Sequence, residues 1–107
     1  KEHAKYWTTY YPTVAIITMA ALVKKVVGLN YSQQISPALF ILSEQDEVVD
    51  AKKSLQIAKQ WGGKSSTHLV NCGPHDDPNS HTIVGDIKSP TQTKQLVETS
   101  LAWIKSL

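Results

Sequence analysis

The feature that most restricts the fold is the run ALFIL at residues 38–42, which contains no polar residue. A strand with one face in solvent alternates apolar and polar residues, whereas a strand covered on both faces is apolar throughout. The run therefore predicts a strand of a parallel sheet, introduced by Pro37. A second run, HLVNC at residues 68–72, predicts a second parallel strand.

Three helices are predicted around these strands. The first runs from about Pro12 to Val27 and has almost no polar face before its two lysines, so it requires cover on several sides. The second covers about Ala51–Trp61, with Asp50 as its N-cap. The third begins at Ser89-Pro90-Thr91-Gln92, which supplies an N-cap serine, a first-turn proline and a glutamine three positions later. The order helix–strand–helix–strand–helix predicts an α/β fold with two parallel strands.

The length of the chain limits how much of this fold it can complete. A chain of 107 residues allows one domain at most, and two strands make an incomplete parallel sheet. The apolar first helix has the same need for cover. We therefore interpret residues 1–107 as a single partial domain, one end of a larger α/β domain. The exposed strand edge and the first helix also predict self-association.

The charge pattern argues against nucleic-acid binding. The net charge of +2 includes eleven lysines and no arginine, the residue that most often binds phosphates and base edges, and the lysines are scattered. The longest apolar run, residues 14–23, is too short for a transmembrane segment. A single cysteine, Cys72, and the lack of a clear signal peptide predict a cytoplasmic protein.

Two polar residues follow the strands at the edge where α/β sheets form their sites. Asp46 follows the first predicted strand, and His81 lies nine residues after the second. Loops after neighbouring parallel strands meet at one edge of a sheet, so the carboxylate and the imidazole can pair there. Such a pair lets a histidine act as a general base. A solvated aspartate and a histidine in a polar turn fit the same spacing.

The residues around this pair carry a family resemblance. PALFILSEQDEVVD at 37–50 and SHTIVGDIKSP at 80–90, followed by a closing helix, resemble the C-terminal third of α/β-hydrolases, in particular the serine aminopeptidase and monoglyceride-lipase-like branch. The resemblance covers about residues 6–107. It implies that Asp46 and His81 are the acid and the base of a Ser-His-Asp triad in an esterase, lipase or peptidase, and it implies no cofactor. The surrounding pattern is matched by Val48, Val49, Gly85, Asp86, Ser89 and Pro90.

The nucleophile of that family is missing from the sequence. It lies in a Gly-x-Ser-x-Gly elbow, and the nearest sequence here, residues 63–67, lacks the second glycine. The oxyanion-hole residues would also come from earlier strands. We therefore expect the C-terminal part of a serine hydrolase, inactive on its own, acting in the full-length enzyme on a small-molecule ester or amide. The alternative is a non-enzymatic α/β interaction module that associates through its strand edge.

A second histidine in the same loop, His75, competes for the role of base. His81 is favoured because the Thr-Ile-Val-Gly-Asp sequence that follows it matches the resembled family. A metal site is the other interpretation of this loop, with Cys72, His75, Asp76 and His81 as ligand types. A structural zinc site normally shows two ligand pairs and only one Cys-x-x-His is present, so no metal is expected.

Two further patterns are interpreted as structural. Gly62-Gly63-Lys64-Ser65 is similar to the end of a phosphate loop, but it follows a helix and lacks the earlier glycine, so it predicts a turn after a helix. The three tryptophans are interpreted as core or interface aromatics. They are Trp7, Trp61 and Trp103.

Overall fold

The computed structural model describes residues 3–6 and 8–107. The chain divides into two compact units, one ending at Asn30 and the other comprising Tyr31–Leu107. The interpretation of residues 1–107 as one partial domain stays a prediction. The role assigned to Trp7 lies outside the described residues.

The unit that ends at Asn30 contains two helices, α1 (His3–Tyr6) and α2 (Thr13–Val27). Helix α2 has almost the predicted bounds and ends at Gly28, whose N–H donates to the carbonyl oxygen of Lys25 at 3.2 Å. The sequence predicts that so short a chain has little material to cover this apolar helix, and none of the residues of α2 is buried. Ile17, for example, is 69% exposed. A helix that is apolar around its circumference needs more cover than so small a unit provides.

No helix in the part of the chain that the structure describes is both long enough and apolar enough to cross a bilayer. Self-association through this helix stays a prediction.

The unit Tyr31–Leu107 is a mixed α/β structure built on a two-stranded parallel sheet. Ala38 of the first strand is in register with Ser65 of the second, and Leu42 is in register with Leu69. All five residues of the first strand are half-buried. The elements are a short 3-10 turn (Tyr31–Gln33), β1 (Ala38–Leu42), α3 (Ala51–Gln60), β2 (Ser65–Leu69) and α4 (Pro90–Lys105).

The second strand begins three residues earlier than the sequence predicts. Its bounds are Ser65–Leu69 and not 68–72. The ladder with β1 opens where the N–H of Ala38 donates to Lys64 and closes where the N–H of Val70 donates to Leu42. The search for an apolar run misplaced this strand because its first three residues are polar. Its exposed and half-buried residues also alternate, so the strand is not apolar throughout. The pairing with β1, and not the hydrophobic content of β2, therefore determines where this strand begins and ends.

Helix α3 packs beside the strands as its sequence predicts. The Asp50 carboxylate accepts the N–H of Lys52 at 2.9 Å and so caps the helix. At the other end, the indole N–H of Trp61 donates to the carbonyl oxygen of Ser36 at 2.7 Å. The Trp61 ring stacks on Tyr31 at 6.2 Å and meets the edge of Phe40 at 5.5 Å. These contacts fix the end of α3 against the start of β1.

Gly62 and Gly63 allow a close approach of two backbone segments. The N–H of Gly62 donates to the carbonyl oxygen of Tyr31 at 3.1 Å. A Cβ atom on Gly62 would lie 1.9 Å from the carbonyl oxygen of Ser32, and one on Gly63 would lie 2.6 Å from that of Ser36. The two glycines therefore serve backbone packing, and nothing about them points to a phosphate loop.

Helix α4 begins at Pro90 as predicted, but the predicted cap is wrong. Ser89 occupies the N-cap position without a capping hydrogen bond from its side chain. The Asp76 carboxylate takes that role instead, because it accepts the N–H of Thr91 at 3.1 Å and the hydroxyl of Thr91 at 2.5 Å. The side chain of Gln92 also donates to Asp76, at 3.1 Å. A loop carboxylate thus ties residues 73–77 to the helix and leaves the Ser89 hydroxyl for other partners.

Candidate active site

The structure brings Asp46 and His81 into hydrogen-bond contact at the carboxyl end of β1. The Nδ1 atom of His81 lies 3.0 Å from Oδ2 of Asp46 and 3.2 Å from Oδ1. The Asp46 side chain is 14% exposed and that of His81 is 43% exposed. The carboxyl end of the sheet therefore holds an oriented carboxylate–imidazole pair, formed by residues 35 positions apart in the sequence. The chemical role of this pair stays a prediction.

The loop after β1 holds the Asp46 carboxylate in a fixed orientation. Its Oδ1 atom accepts the N–H groups of Val48 and Val49, each at 2.8 Å. The N–H of Glu47 donates to the carbonyl oxygen of Asn79 at 3.0 Å, which joins this loop to the one that carries His81. The carboxylate is therefore positioned from both loops, and one of its oxygens remains directed at the imidazole.

The environment of Asp46 favours the charged carboxylate. Burial by itself would raise the pKa of Asp46, but the Val49 N–H, the His81 side chain and the Val48 N–H outweigh it and hold that pKa below its ordinary value of 3.8. Asp46 is therefore a carboxylate at neutral pH. A charged acceptor of this kind orients an imidazole and stabilises its protonated form.

The contact with Asp46 also assigns the tautomer of His81. A carboxylate can only accept, so a neutral imidazole in this contact carries its proton on Nδ1 and leaves the lone pair of Nε2 free. Among the described residues, the Nε2 atom has no hydrogen-bond partner. An exposed imidazole nitrogen in that state can take a proton from a hydroxyl, which is the requirement for a general base.

A cleft of about 340 Å³ lies beside the pair and runs along β1. It contains the side chains of Ser43 and Ser54, but neither makes a hydrogen bond to His81. Ser43 is 1% exposed, and its hydroxyl accepts the N–H of Gln45 at 3.2 Å. Within the described residues, therefore, no serine hydroxyl is in position to give its proton to His81.

The sequence nearest to a serine elbow lies at the wrong end of the sheet. Ser65 begins β2, whereas Asp46 and His81 are at the carboxyl ends of the two parallel strands. The Ser65 hydroxyl donates to the carbonyl oxygen of Ala58 at 3.0 Å. Residues 63–67 therefore form the start of a strand and supply no nucleophile to this pair.

The competing histidine and the other ligand-type residues do not converge on the pair. His75 is exposed and has no hydrogen bond within the described part of the chain. Asp76 is engaged by Gly73, Thr91 and Gln92. Over residues 3–6 and 8–107, no three His, Cys, Asp or Glu side chains come together as metal ligands. Cys72, half-buried, is a free thiol.

The sequence analysis assigns no supporting role to the buried polar residues of the loop that carries His81. Among the described residues, five polar or charged ones are buried, and four of them lie in this loop or at its junction with α4. The sequence signal for such a set is weak, because a Gly/Pro/Asn-rich stretch reads as a solvated turn. Two adjacent aspartates before the histidine were the only available indication. The four are Asp76, Asp77, Ser80 and Ser89.

The lowered pKa values of three aspartates predict that the fold loses stability in acid. The pKa of Asp76 is lowered from 3.8 to about 2, chiefly by the Thr91 hydroxyl and the Gly73 N–H, and the pKa values of Asp46 and Asp77 are also lowered. A carboxyl whose folded pKa is lowered stabilises the fold fully above its unfolded pKa and progressively less as pH falls through the folded value. We expect the free energy of unfolding to fall between pH values of about 4 and about 2.

Urea unfolding at a series of pH values measures this dependence. Asp76→Asn should lower stability at neutral pH and flatten its decline in acid, because one source of differential proton uptake is removed. Asp86→Asn is the matched control, since Asp86 is exposed and makes no hydrogen bond in the described chain. Equal stability at both ends of the acid range would contradict this account of the loop.

Comparisons with protein-family models, with curated proteins and with solved structures find no match to this chain.

Proposed function

We propose that this chain is the C-terminal part of a serine hydrolase of the α/β-hydrolase fold, carrying the acid and the base of a Ser-His-Asp triad. The observation that supports the proposal is the contact between His81 Nδ1 and Asp46 Oδ2 at 3.0 Å, with Nε2 unpartnered among the described residues. The resemblance of residues 37–50 and 80–90 to that family points to the same two side chains. The proposed substrates are esters or amides.

In the proposed reaction, His81 acts through Nε2. It removes the proton of a serine hydroxyl as the hydroxyl attacks the substrate carbonyl, and it later delivers that proton to the leaving group. Asp46 holds the neutral ring in the Nδ1–H tautomer and stabilises the imidazolium that forms in between. The serine and the oxyanion-hole donors come from outside residues 1–107 in this proposal.

The alternative is a non-enzymatic interaction module. The exposed apolar side chains of α2 and the two-stranded sheet are expected under both interpretations, so they do not separate them. The oriented pair favours the hydrolase, because a histidine held in one tautomer by a carboxylate has a use in acid–base chemistry and none in an interaction surface. We therefore favour the hydrolase.

An assay of the isolated chain tests the proposal that it carries the acid and the base but not the nucleophile. We expect no covalent adduct with a fluorophosphonate and no inhibitor-sensitive turnover of an activated ester, because no serine hydroxyl of the described residues contacts the His81 ring. A known serine hydrolase under the same conditions is the positive control, and heat-unfolded chain gives the background. An adduct on any serine within residues 1–107 would contradict the proposal.

A further inference from the structure

A buried carboxylate outside the proposed acid–base pair, that of Asp77, holds the backbone from which His81 projects. Asp77 is 4% exposed. Its Oδ2 atom accepts the N–H of His81 at 3.3 Å and the N–H of Thr82 at 2.8 Å. Because the N–H groups of two successive residues meet one oxygen, the backbone at His81 cannot rotate without losing a hydrogen bond. The direction in which the His81 side chain leaves the backbone is thereby fixed.

The residue before His81 has a backbone conformation that needs support. Ser80 has a φ of +50°, in the left-handed region that non-glycine residues seldom occupy. Its N–H donates to the carbonyl oxygen of Asp77 at 2.8 Å. Asp77 therefore closes this turn with a main-chain oxygen as well as with its carboxylate. Without these contacts, we expect Ser80 to relax and the imidazole to turn away from Asp46.

The turn is also anchored to the start of α4. The hydroxyl of Ser89, which is 0% exposed, accepts the N–H of Asp77 at 3.1 Å and donates to the carbonyl oxygen of Thr82 at 2.5 Å. The ammonium group of Lys88 lies 3.5 Å from the second carboxylate oxygen of Asp77. Both ends of the segment that carries His81 are thus bound to one short stretch of chain.

The same contacts keep Asp77 charged. Burial alone would raise its pKa, but the Thr82 N–H, the charge of Lys88 and the His81 N–H together hold the pKa below its ordinary value of 3.8. At neutral pH the side chain is therefore a carboxylate, which accepts backbone N–H groups more strongly than a neutral acceptor does.

We infer that Asp77 is a positioning residue for His81: through the N–H groups of His81 and Thr82, it directs the imidazole at Asp46 and so selects the Nδ1–H tautomer. The inference rests on the proposed function, which makes His81 the base. Asp77 acts through the backbone, and its contribution is the orientation of the ring rather than contact with reacting atoms.

The test is the ¹⁵N NMR spectrum of the His81 ring in this chain at a pH of about 8.5, which reports the fraction of imidazole protonated at Nδ1. Asp77→Ala, in protein that remains folded, should lose at least about half of the wild-type Nδ1–H fraction. Asp77→Asn should recover most of it, because an amide oxygen can still accept both N–H groups. Asp86→Ala, the exposed control in the same loop, should match the wild type.

A folded Asp77→Ala protein with the wild-type Nδ1–H fraction overturns the inference. If Asp77→Ala does not fold, Ser89→Ala decides, since it removes the external anchor of the turn: a reduced fraction supports the inference and an unchanged one overturns it. Failure of the proposed function gives a different result. A wild-type chain that itself lacks the Nδ1–H tautomer has no oriented base, whereas a normal wild type with an unaffected Asp77→Ala protein removes this inference alone.

Discussion

Under the proposed triad, His81→Ala should lower kcat/KM for ester hydrolysis by at least about 10⁴-fold in the full-length hydrolase that the proposal requires. The structure gives the reason. The His81 imidazole is oriented by Asp46 through Nδ1, and its Nε2 atom has no hydrogen-bond partner among the described residues. Asp46→Asn should cost a comparable amount, because an amide does not hold the ring in the Nδ1–H tautomer. Steady-state kinetics on an activated ester measure both effects.

His75→Ala is the matched control for this prediction. It removes the same side chain from the same loop, but His75 is exposed and makes no hydrogen bond in the described structure. We expect its rate to stay within about twofold of the wild type. A near-normal rate for His81→Ala, or an equal loss for His75→Ala, would show that the base has been assigned wrongly.

Gly62→Ala should lower the free energy of unfolding of the chain by about 3 kcal/mol, the upper end of the usual cost of overpacking. The new Cβ would lie 1.9 Å from the carbonyl oxygen of Ser32 and 2.8 Å from that of Gln34, and both neighbours are backbone atoms. Backbone cannot turn aside as a long side chain can, so the segment from Ser32 to Gln34 must separate from the end of α3. A loss of that size is a large share of the about 5–15 kcal/mol that stabilises an ordinary domain.

Urea unfolding of the wild type and the variant measures this loss. Gly28→Ala is the control, because a Cβ there would approach nothing closer than 3.6 Å and the residue has a φ of −85°. We expect the stability of Gly28→Ala to lie within about 1 kcal/mol of the wild type. If Gly62→Ala unfolds at the same urea concentration as the wild type, the backbone approach is not as close as the structure describes.

Much of the local structure could be predicted from the sequence, since α2, α3 and α4 have clear boundary residues, whereas the four-residue helix α1 is not predicted. Pro12 and Gly28 bracket α2, and Asp50 caps α3 as expected. The β1 strand has its predicted bounds because five consecutive apolar residues allow few alternatives. The placement of Asp46 and His81 followed from parallel topology, which brings loops after neighbouring strands to one edge.

The remainder depended on contacts that a linear pattern does not contain. The strand β2 starts in Ser65-Ser66-Thr67, which reads as a polar turn until its pairing with β1 is known. Ser89 is the residue expected of an N-cap, yet the loop carboxylate of Asp76 caps α4. The local pattern at Ser89 is compatible with both roles. Only the folded loop decides which oxygen reaches the helix N-terminus.

Some residues matched only as a pattern acquire physical roles in the structure. Val48 and Val49 supply the N–H groups that hold the Asp46 carboxylate. Gly85 has a φ of +106°, a conformation that favours glycine, and its carbonyl oxygen accepts the N–H groups of Lys88 and Ser89. These contacts shape the two loops that meet at Asp46 and His81. The residues that match the family pattern therefore also have structural roles in these loops.

The most direct test of the proposed triad is fluorophosphonate labelling of the full-length hydrolase that the proposal requires, followed by peptide mapping. The account predicts one adduct on a serine outside residues 1–107, formed in the wild type and in His75→Ala and lost in His81→Ala. Absence of any adduct in active, folded protein, or full labelling of His81→Ala, would contradict it.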